Sequence, residues 1–124
     1  MEAALMAGVL VVEDEALIVE LLKSMLEDMG LTMCATTATA AEAVTLAAEH
    51  TPDLVLLDVR LRGNEDGIDL AIALRHRTKA RIVFITGSRD AVTVRRLEQF
   101  GAPVLFKPMR LQEFRKTIQQ ALTF

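Results

Sequence analysis

The sequence predicts an α/β fold: a five-stranded parallel sheet, doubly wound, with helices on both faces. Three observations predict it. Short unbroken apolar runs recur along the chain, as expected of strands buried on both faces. Segments with apolar residues at helical spacing alternate with them, and that alternation implies serial β-α units. Glycine, proline and capping residues mark the boundaries between the two.

Val9-Leu10-Val11-Val12 reads as the first strand. Ile18, Leu21, Leu22, Met25 and Met29 follow at helical spacing, and Gly30 stands where a helix-ending glycine belongs. Thr32 to Thr36 is a second, shorter strand. Thr39 and Glu42 form a capping-box pattern ahead of Val44, Ala47 and Ala48, and Pro52 breaks that helix. Leu54-Val55-Leu56-Leu57 is the third strand, with Asp58 at its end. A polar stretch from Arg60 to Gly67 leads into a helix through Ile68, Ala71 and Ile72. Ile82-Val83-Phe84-Ile85 is the fourth strand, ended by Thr86-Gly87-Ser88. The fourth helix, about Arg89 to Phe100, is weakly patterned. Val104-Leu105-Phe106 is the fifth strand and runs into Lys107-Pro108. Leu111, Phe114, Ile118, Ala121 and Leu122 set a regular final helix.

A chain of 124 residues suits a single domain, 1–124, and it holds no linker or repeat. At 52% hydrophobic residues it is too apolar to be disordered. No apolar run spans a bilayer and no signal-peptide pattern opens the chain, so a cytoplasmic protein without membrane contact is expected. A net charge of −3 argues against general nucleic-acid affinity. The basic run from Arg75 to Arg81 reads first as a helix C-terminus, where cations complement the dipole, and second as a docking patch. Cys34 is the single cysteine, so it forms no internal disulfide, and its apolar surroundings suggest a buried, inert thiol. His50 and His76 fall near helix ends and read as solvated.

A doubly wound sheet binds ligands at the carboxyl ends of its strands, beside a topological switch point. The residues just after each strand therefore belong together: Glu13, Asp14 and Glu15 after the first, Asp58 after the third, Thr86 after the fourth, Lys107 after the fifth. Two carboxylates about 4 Å apart repel by roughly 4 kcal/mol at an effective dielectric near 20. A single lysine does not balance such a group of acids, whereas a hard divalent cation such as magnesium would. Magnesium, a carboxylate and an ammonium together make a phosphoryl-transfer arrangement, in which the carboxylate is the nucleophile. Polar residues at strand ends are common, so the signal lies in the conjunction and its order along the chain.

Those motifs are Val11-Val12-Glu13-Asp14-Glu15, Asp53-Leu54-Val55-Leu56-Leu57-Asp58, Asp66-Gly67, Thr86 and Lys107-Pro108. On them the chain resembles bacterial two-component response-regulator receiver domains over nearly its full length. The resemblance implies a flavodoxin-like fold with strand order 2-1-3-4-5. It implies Asp14 and Asp58 as direct magnesium ligands, Glu13 acting through water, and the backbone carbonyl of Arg60 as a further ligand. Asp58 would accept a phosphoryl group from the phosphohistidine of a histidine kinase or histidine phosphotransfer protein. Thr86 would hydrogen-bond that group, Lys107 would pair with it, and Lys107-Pro108 would be cis. A downstream protein partner would meet the face of the fourth helix, fifth strand and fifth helix, including Arg89, Arg96, Phe106 and Arg110.

The sequence departs from the common pattern in several places. Arg62 stands where a proline is usual, and the loop to Asp66-Gly67 is longer by one residue than the commonest form. Val104 replaces the aromatic that usually changes rotamer on activation. The segment Phe84-Ile85-Thr86-Gly87-Ser88 is similar to a single-domain subgroup marked by Phe-Ala-Thr-Gly-Tyr, with Ile85 and Ser88 in place of Ala and Tyr. Rival readings are weaker. A flavodoxin-type electron carrier would need a phosphate-cradling loop where Glu13-Asp14-Glu15 would repel phosphate. A metal-dependent phosphohydrolase would place its nucleophile after the first strand. A degenerate receiver would have lost part of the intact acidic set. If the chain is whole, it has no room for a DNA-binding output domain and acts through a partner, or as a phosphate shuttle or sink in a phosphorelay.

Overall fold

A computed structural model describes residues 7–123, so residues 1–6 and 124 of the expected single domain lie outside the described part. The order of elements is β1 (Gly8–Val12), α1 (Ala16–Asp28), β2 (Thr32–Thr37), α2 (Ala40–His50), β3 (Leu54–Asp58), α3 (Gly67–Arg75), β4 (Arg81–Thr86), α4 (Ala91–Phe100), β5 (Val104–Phe106) and α5 (Leu111–Leu122). A single 3-10 turn, Arg62–Asn64, interrupts the loop between β3 and α3. All strand pairs are parallel, and the sheet order is β2-β1-β3-β4-β5, as expected.

The unbroken apolar runs have their cause in this topology. β3 lies between β1 and β4, and all five of its residues are buried. Val55 and Leu57 face one core, shared with Ala43, Ala47, Ala71, Leu74 and Leu97 of α2, α3 and α4. Leu54 and Leu56 face the other, shared with Leu22 and Leu26 of α1 and Phe114 and Ile118 of α5. Each buried Val, Leu, Ile or Phe among them contributes about 1.5–3 kcal/mol by leaving water. No helix among the described residues is long and apolar enough to cross a membrane.

Several boundaries and faces differ from the sequence expectation. β2 continues one residue further, through Thr37. α4 starts at Ala91 instead of Arg89, because the Asp90 carboxylate accepts from the Thr93 N–H at 2.9 Å and caps the helix. Its weak pattern is real: Leu97 is the one fully buried residue of α4, and Val92 is 72% exposed. Leu21 and Ile72, although at helical spacing, are about half exposed on the rims of their helices. Cys34 is half-buried, and burial pushes its thiol pKa up, which keeps it in the unreactive protonated form. The Lys107–Pro108 bond is cis.

The capping box of α2 forms by half. Thr39 Oγ1 accepts from the Glu42 N–H at 3.3 Å, but the Glu42 carboxylate turns to the hydroxyls of Thr37 and Thr39. The Thr39 N–H is satisfied by Thr37 Oγ1 at 3.2 Å. Thr39→Ala is therefore expected to cost about 1 kcal/mol, a fall in Tm of roughly 4 °C. Thermal denaturation followed by circular dichroism measures it, and an unchanged Tm would mean that Thr37 alone holds the helix end.

Candidate functional site

β1 has β2 on one side and β3 on the other, so the chain changes direction across the sheet at β1. The switch-point crevice thus opens at the carboxyl ends of β1 and β3. Glu13, Asp14 and Glu15 follow β1, and Asp58 is the last residue of β3. One carboxylate oxygen each from Glu13, Asp14 and Asp58 lies within 4.8 Å of the others. Glu13 is 3% and Asp58 6% exposed.

Lys107 arrives from β5, two strands away from β3. Its N–H donates to the Thr86 carbonyl at 2.8 Å, extending the β4–β5 ladder. Its ammonium then reaches across the edge to 2.9 Å from Glu13 Oε1, 3.1 Å from Asp58 Oδ2 and 3.8 Å from Glu15 Oε1. Burial pushes the Glu13 carboxyl up to about 7, against the pull of Lys107, and the nearby Asp58 adds to the rise. Burial alone would lower Lys107, but Glu13 and Asp58 outweigh it and hold the ammonium above its ordinary pKa.

The loops around this edge are tied to it. The Arg60 N–H donates to Asp58 Oδ1 at 3.2 Å, which leaves Oδ2 to Lys107. The Asp66 carboxylate caps α3 through the N–H groups of Ile68 and Asp69. Gly67 packs so closely on β3 that a Cβ there would stand 2.0 Å from the Asp58 carbonyl oxygen. The longer loop is absorbed by Gly63 and Asn64, both at positive φ. It is pinned by Glu65, whose carboxylate accepts from the Ala40 N–H at 2.8 Å at the start of α2.

Thr86 is 1% exposed and follows Ile85, the register partner of Asp58. Its hydroxyl accepts from the Ser88 N–H at 3.0 Å and makes no hydrogen bond to Asp58 among the described residues. Arg96, expected beside Arg89 and Phe106, is instead bonded to Asp66 and Asp69 across the α3–α4 contact. Burial works to raise the Asp66 carboxyl, but Arg96 together with the N–H groups of Ile68 and Asp69 outweighs it and holds Asp66 below the usual carboxylate range. Arg89 stacks on the Phe106 ring at 4.1 Å, and Val104 packs against the α2–α4 core.

Sequence reasoning named Glu13, Asp14, Asp58 and Lys107, and the fold brings these four together. It missed Glu65, which lies 25 residues from its partner with no local signal. It also missed Asp90, where Asp followed three residues later by Thr93 at a helix start was a readable cap.

The donor set suits a hard divalent cation. The carboxylates of Glu13, Asp14 and Asp58 cluster together, and one ammonium meets two of them, leaving net negative charge in a largely buried edge. Glu13 Oε1 is buried with Lys107 as an ion-pair neighbour but without an aligned hydrogen-bond donor. Oxygen ligands of this kind hold magnesium through one or two carboxylates and several waters.

The sequence matches the profile of the response regulator receiver domain over residues 9–119. It is 36% identical over 123 residues to the transcriptional regulatory protein PdtaR of Mycobacterium tuberculosis, covering 98% of this chain and 60% of that protein. It is 37% identical over 115 residues to the transcriptional regulatory protein AruR of Pseudomonas aeruginosa, covering 89% of this chain and 47% of that one. The chain thus spans less than two-thirds of the length of these curated relatives. Among solved structures, it superposes on the signal receiver domain of a modulated diguanylate cyclase from Desulfovibrio desulfuricans G20 with a TM-score of 0.86 at 32% identity, covering 94% of each chain. The receiver domain of the PhyR response regulator from Erythrobacter litoralis gives 0.82 at 30% identity, covering 95% of this chain and 91% of that one. A buried acid cluster at the β1–β3 switch point, a lysine reaching it from β5 and these matches lead to one assignment: the chain belongs to the response regulator receiver domain family.

Proposed function

We propose that Asp58 accepts a phosphoryl group from the phosphohistidine of a histidine kinase or histidine phosphotransfer protein. The observation that carries this reading is the Lys107 ammonium, 3.1 Å from Asp58 Oδ2 and 2.9 Å from Glu13 Oε1, beside Asp14. In the reaction an Asp58 oxygen attacks phosphorus while the phosphorus–nitrogen bond breaks, and its electron pair stays on the departing imidazole. The product is an acyl phosphate on Asp58. Magnesium, held by Asp14, Asp58 and the Arg60 carbonyl with Glu13 acting through water, would supply positive charge to the phosphoryl oxygens. Lys107 supplies the second positive charge. The Arg60 N–H, 3.2 Å from Asp58 Oδ1, holds the carboxylate in place. Thr86 turns its hydroxyl proton toward the phosphoryl group, which its present role as acceptor from Ser88 leaves free to donate. The same edge then lets water hydrolyse the acyl phosphate, so the domain limits its own signal.

The signal leaves through the segment from Thr86 to Arg89 and through α4, the helix with least burial. Val104 is β-branched and short, so no aromatic swing follows Thr86 inward. A partner protein then meets the α4–β5–α5 face, where Arg89, Phe106 and Arg110 lie; Arg96 is held away by Asp66 and Asp69.

Uptake of a single phosphoryl group from acetyl phosphate plus magnesium, read as a mass increase of the intact chain, tests this reading. No uptake rejects it. Magnesium alone is expected to raise Tm: at about ten times Kd the gain is about 1.4 kcal/mol. Asp14→Asn is expected to remove that gain. A melting curve that magnesium leaves unmoved would place the cation elsewhere or nowhere.

A further inference from the structure

The two halves of α4 are held by different forces. The second half is held by burial. Leu97 packs into the core, and the Phe100 ring meets Phe84 of β4 edge to face at 5.2 Å. Arg75 of α3 stacks over the same ring and donates to the Phe100 carbonyl. The first half lacks such an anchor: no residue from Ala91 to Arg96 is buried, and Ala91, Val92 and Arg95 are exposed. It is tied across to other elements by charge. Arg96 sends one guanidinium nitrogen to Asp66 and the other to Asp69, the latter at 3.0 Å. The Arg60 guanidinium stands 3.5 Å from Asp90, the residue that caps the helix. These partners all follow Asp58 closely. Arg60 and Asp66 lie in the loop after β3, and Asp69 lies in the first turn of α3.

We propose that Arg96 is the positioning residue of α4: its fork on Asp66 and Asp69 latches the first half of the helix to α3, so that this half opens on its own when the fork is released. An ordinary exposed ion pair contributes little, because two flexible side chains must be ordered to make it. This one differs in three respects. Arg96 and Asp66 are 37% and 33% exposed, so water and salt screen them less. The guanidinium is a rigid fork that meets two carboxylates at once. Asp66 is already fixed, since its other oxygen caps α3 through the N–H groups of Ile68 and Asp69. Directly after it, Gly67 rests against the Asp58 carbonyl with no room for a side chain. The latch is thus anchored on the backbone of the strand that carries Asp58, and a displacement there reaches α4 through Asp66 and Arg96. That last step rests on the reading in which α4 carries the signal; the latch itself does not.

Native-state amide exchange of the whole chain, without magnesium or phosphodonor, tests the latch. Arg96→Met keeps the length of the side chain and removes its charge. In that variant the amides from Val94 to Leu97 are expected to exchange about tenfold faster. Asp69→Asn removes one branch of the fork and is expected to speed them about threefold. The Asp69 side chain is 71% exposed, so this variant folds and keeps the test open if Arg96→Met does not. In the double variant the Asp69 change should add nothing, because the fork is already gone. Thr39→Ala serves as the control: it weakens the fold far from α4, so it should leave these amides unmoved. Three results overturn the proposal. One is unchanged exchange in both single variants. Another is equal acceleration by Thr39→Ala, which would mean that α4 opens only with the whole chain. The third is a full Asp69→Asn effect in the Arg96→Met background, which would mean that the two residues act separately. No metal or phosphodonor enters, so failure here leaves the reading of Asp58 untouched.

Discussion

Treatment with acetyl phosphate and magnesium is expected to label Asp58 alone, and Asp58→Asn is expected to bring labelling to background. The expected loss is complete because the amide lacks a nucleophilic oxygen of comparable basicity, and the neighbouring carboxylates are not expected to substitute. Glu13 is buried and raised toward neutrality, and Asp14 and Glu15 sit on the β1 side of the crevice. The substitution is near-isosteric, and its oxygen can still accept from the Arg60 N–H. Loss of labelling in a variant that melts normally with magnesium-free buffer would therefore report chemistry, not folding. Lys107→Ala separates the roles further. It removes the cation that spans Glu13 and Asp58, so the phosphorylated chain should lose its structural response while magnesium still binds. Peptide mapping of the wild-type chain decides the matter: a phosphoryl group recovered on any other residue would overturn the assignment.

Gly67→Ala is expected to destabilise the fold by about 2–3 kcal/mol, against a helix-propensity gain of up to about 1 kcal/mol. The sign is set by sterics. Gly67 is the first residue of α3, where alanine would ordinarily be welcome, yet the added methyl would meet the Asp58 carbonyl oxygen at 2.0 Å and Val59 Cα at 2.9 Å. Both are backbone atoms on the central strand's end, so neither can swing aside. Relief requires α3 to lift from β3, which breaks the Gly67 N–H bond to the Val59 carbonyl and loosens Ile68 and Ala71 in the core. A fall in Tm of roughly 10 °C follows, together with weaker labelling at Asp58. A Tm within a degree or so of the parent would show that the backbone yields more easily than this packing implies.

How much of this was legible in the sequence depends on the range of the interaction. Strands β1, β3 and β4 were plain because burial on both faces leaves no polar residue within Val9–Val12, Leu54–Leu57 or Ile82–Ile85. The acid pair, Asp58 and Lys107 were legible because a parallel sheet gathers the residues after its strands at one edge, whatever the details of packing. α4 blurred because its packing buries one residue, so sequence periodicity had little to report. Glu65 and Arg96 were opaque for a different reason. Each makes its contact across 25 or more residues, Glu65 to the Ala40 N–H and Arg96 to Asp66 and Asp69, and nothing in the local pattern names the partner. The Asp66-Gly67 pair was visible, but the close approach that excludes a side chain at 67 emerges only from the backbone.

Asp58 is carried by β3, which has hydrogen-bonded neighbours on both sides and all five of its residues buried. Amide exchange from Val55 to Leu57 then requires separating β1 or β4 from β3, which is nearly the cost of unfolding the whole chain. The Asp58 carboxylate, the proposed acceptor, is in effect a fixed post. The groups around it belong to segments with far less to lose: the Arg60–Asp66 loop, the Thr86–Arg89 turn and the short β5. Local opening can rearrange those segments many times without displacing the carboxylate on which they act. If Asp58 is the phosphoryl acceptor proposed above, a change of state would be written in these loops while the acceptor itself stays on a strand buried throughout.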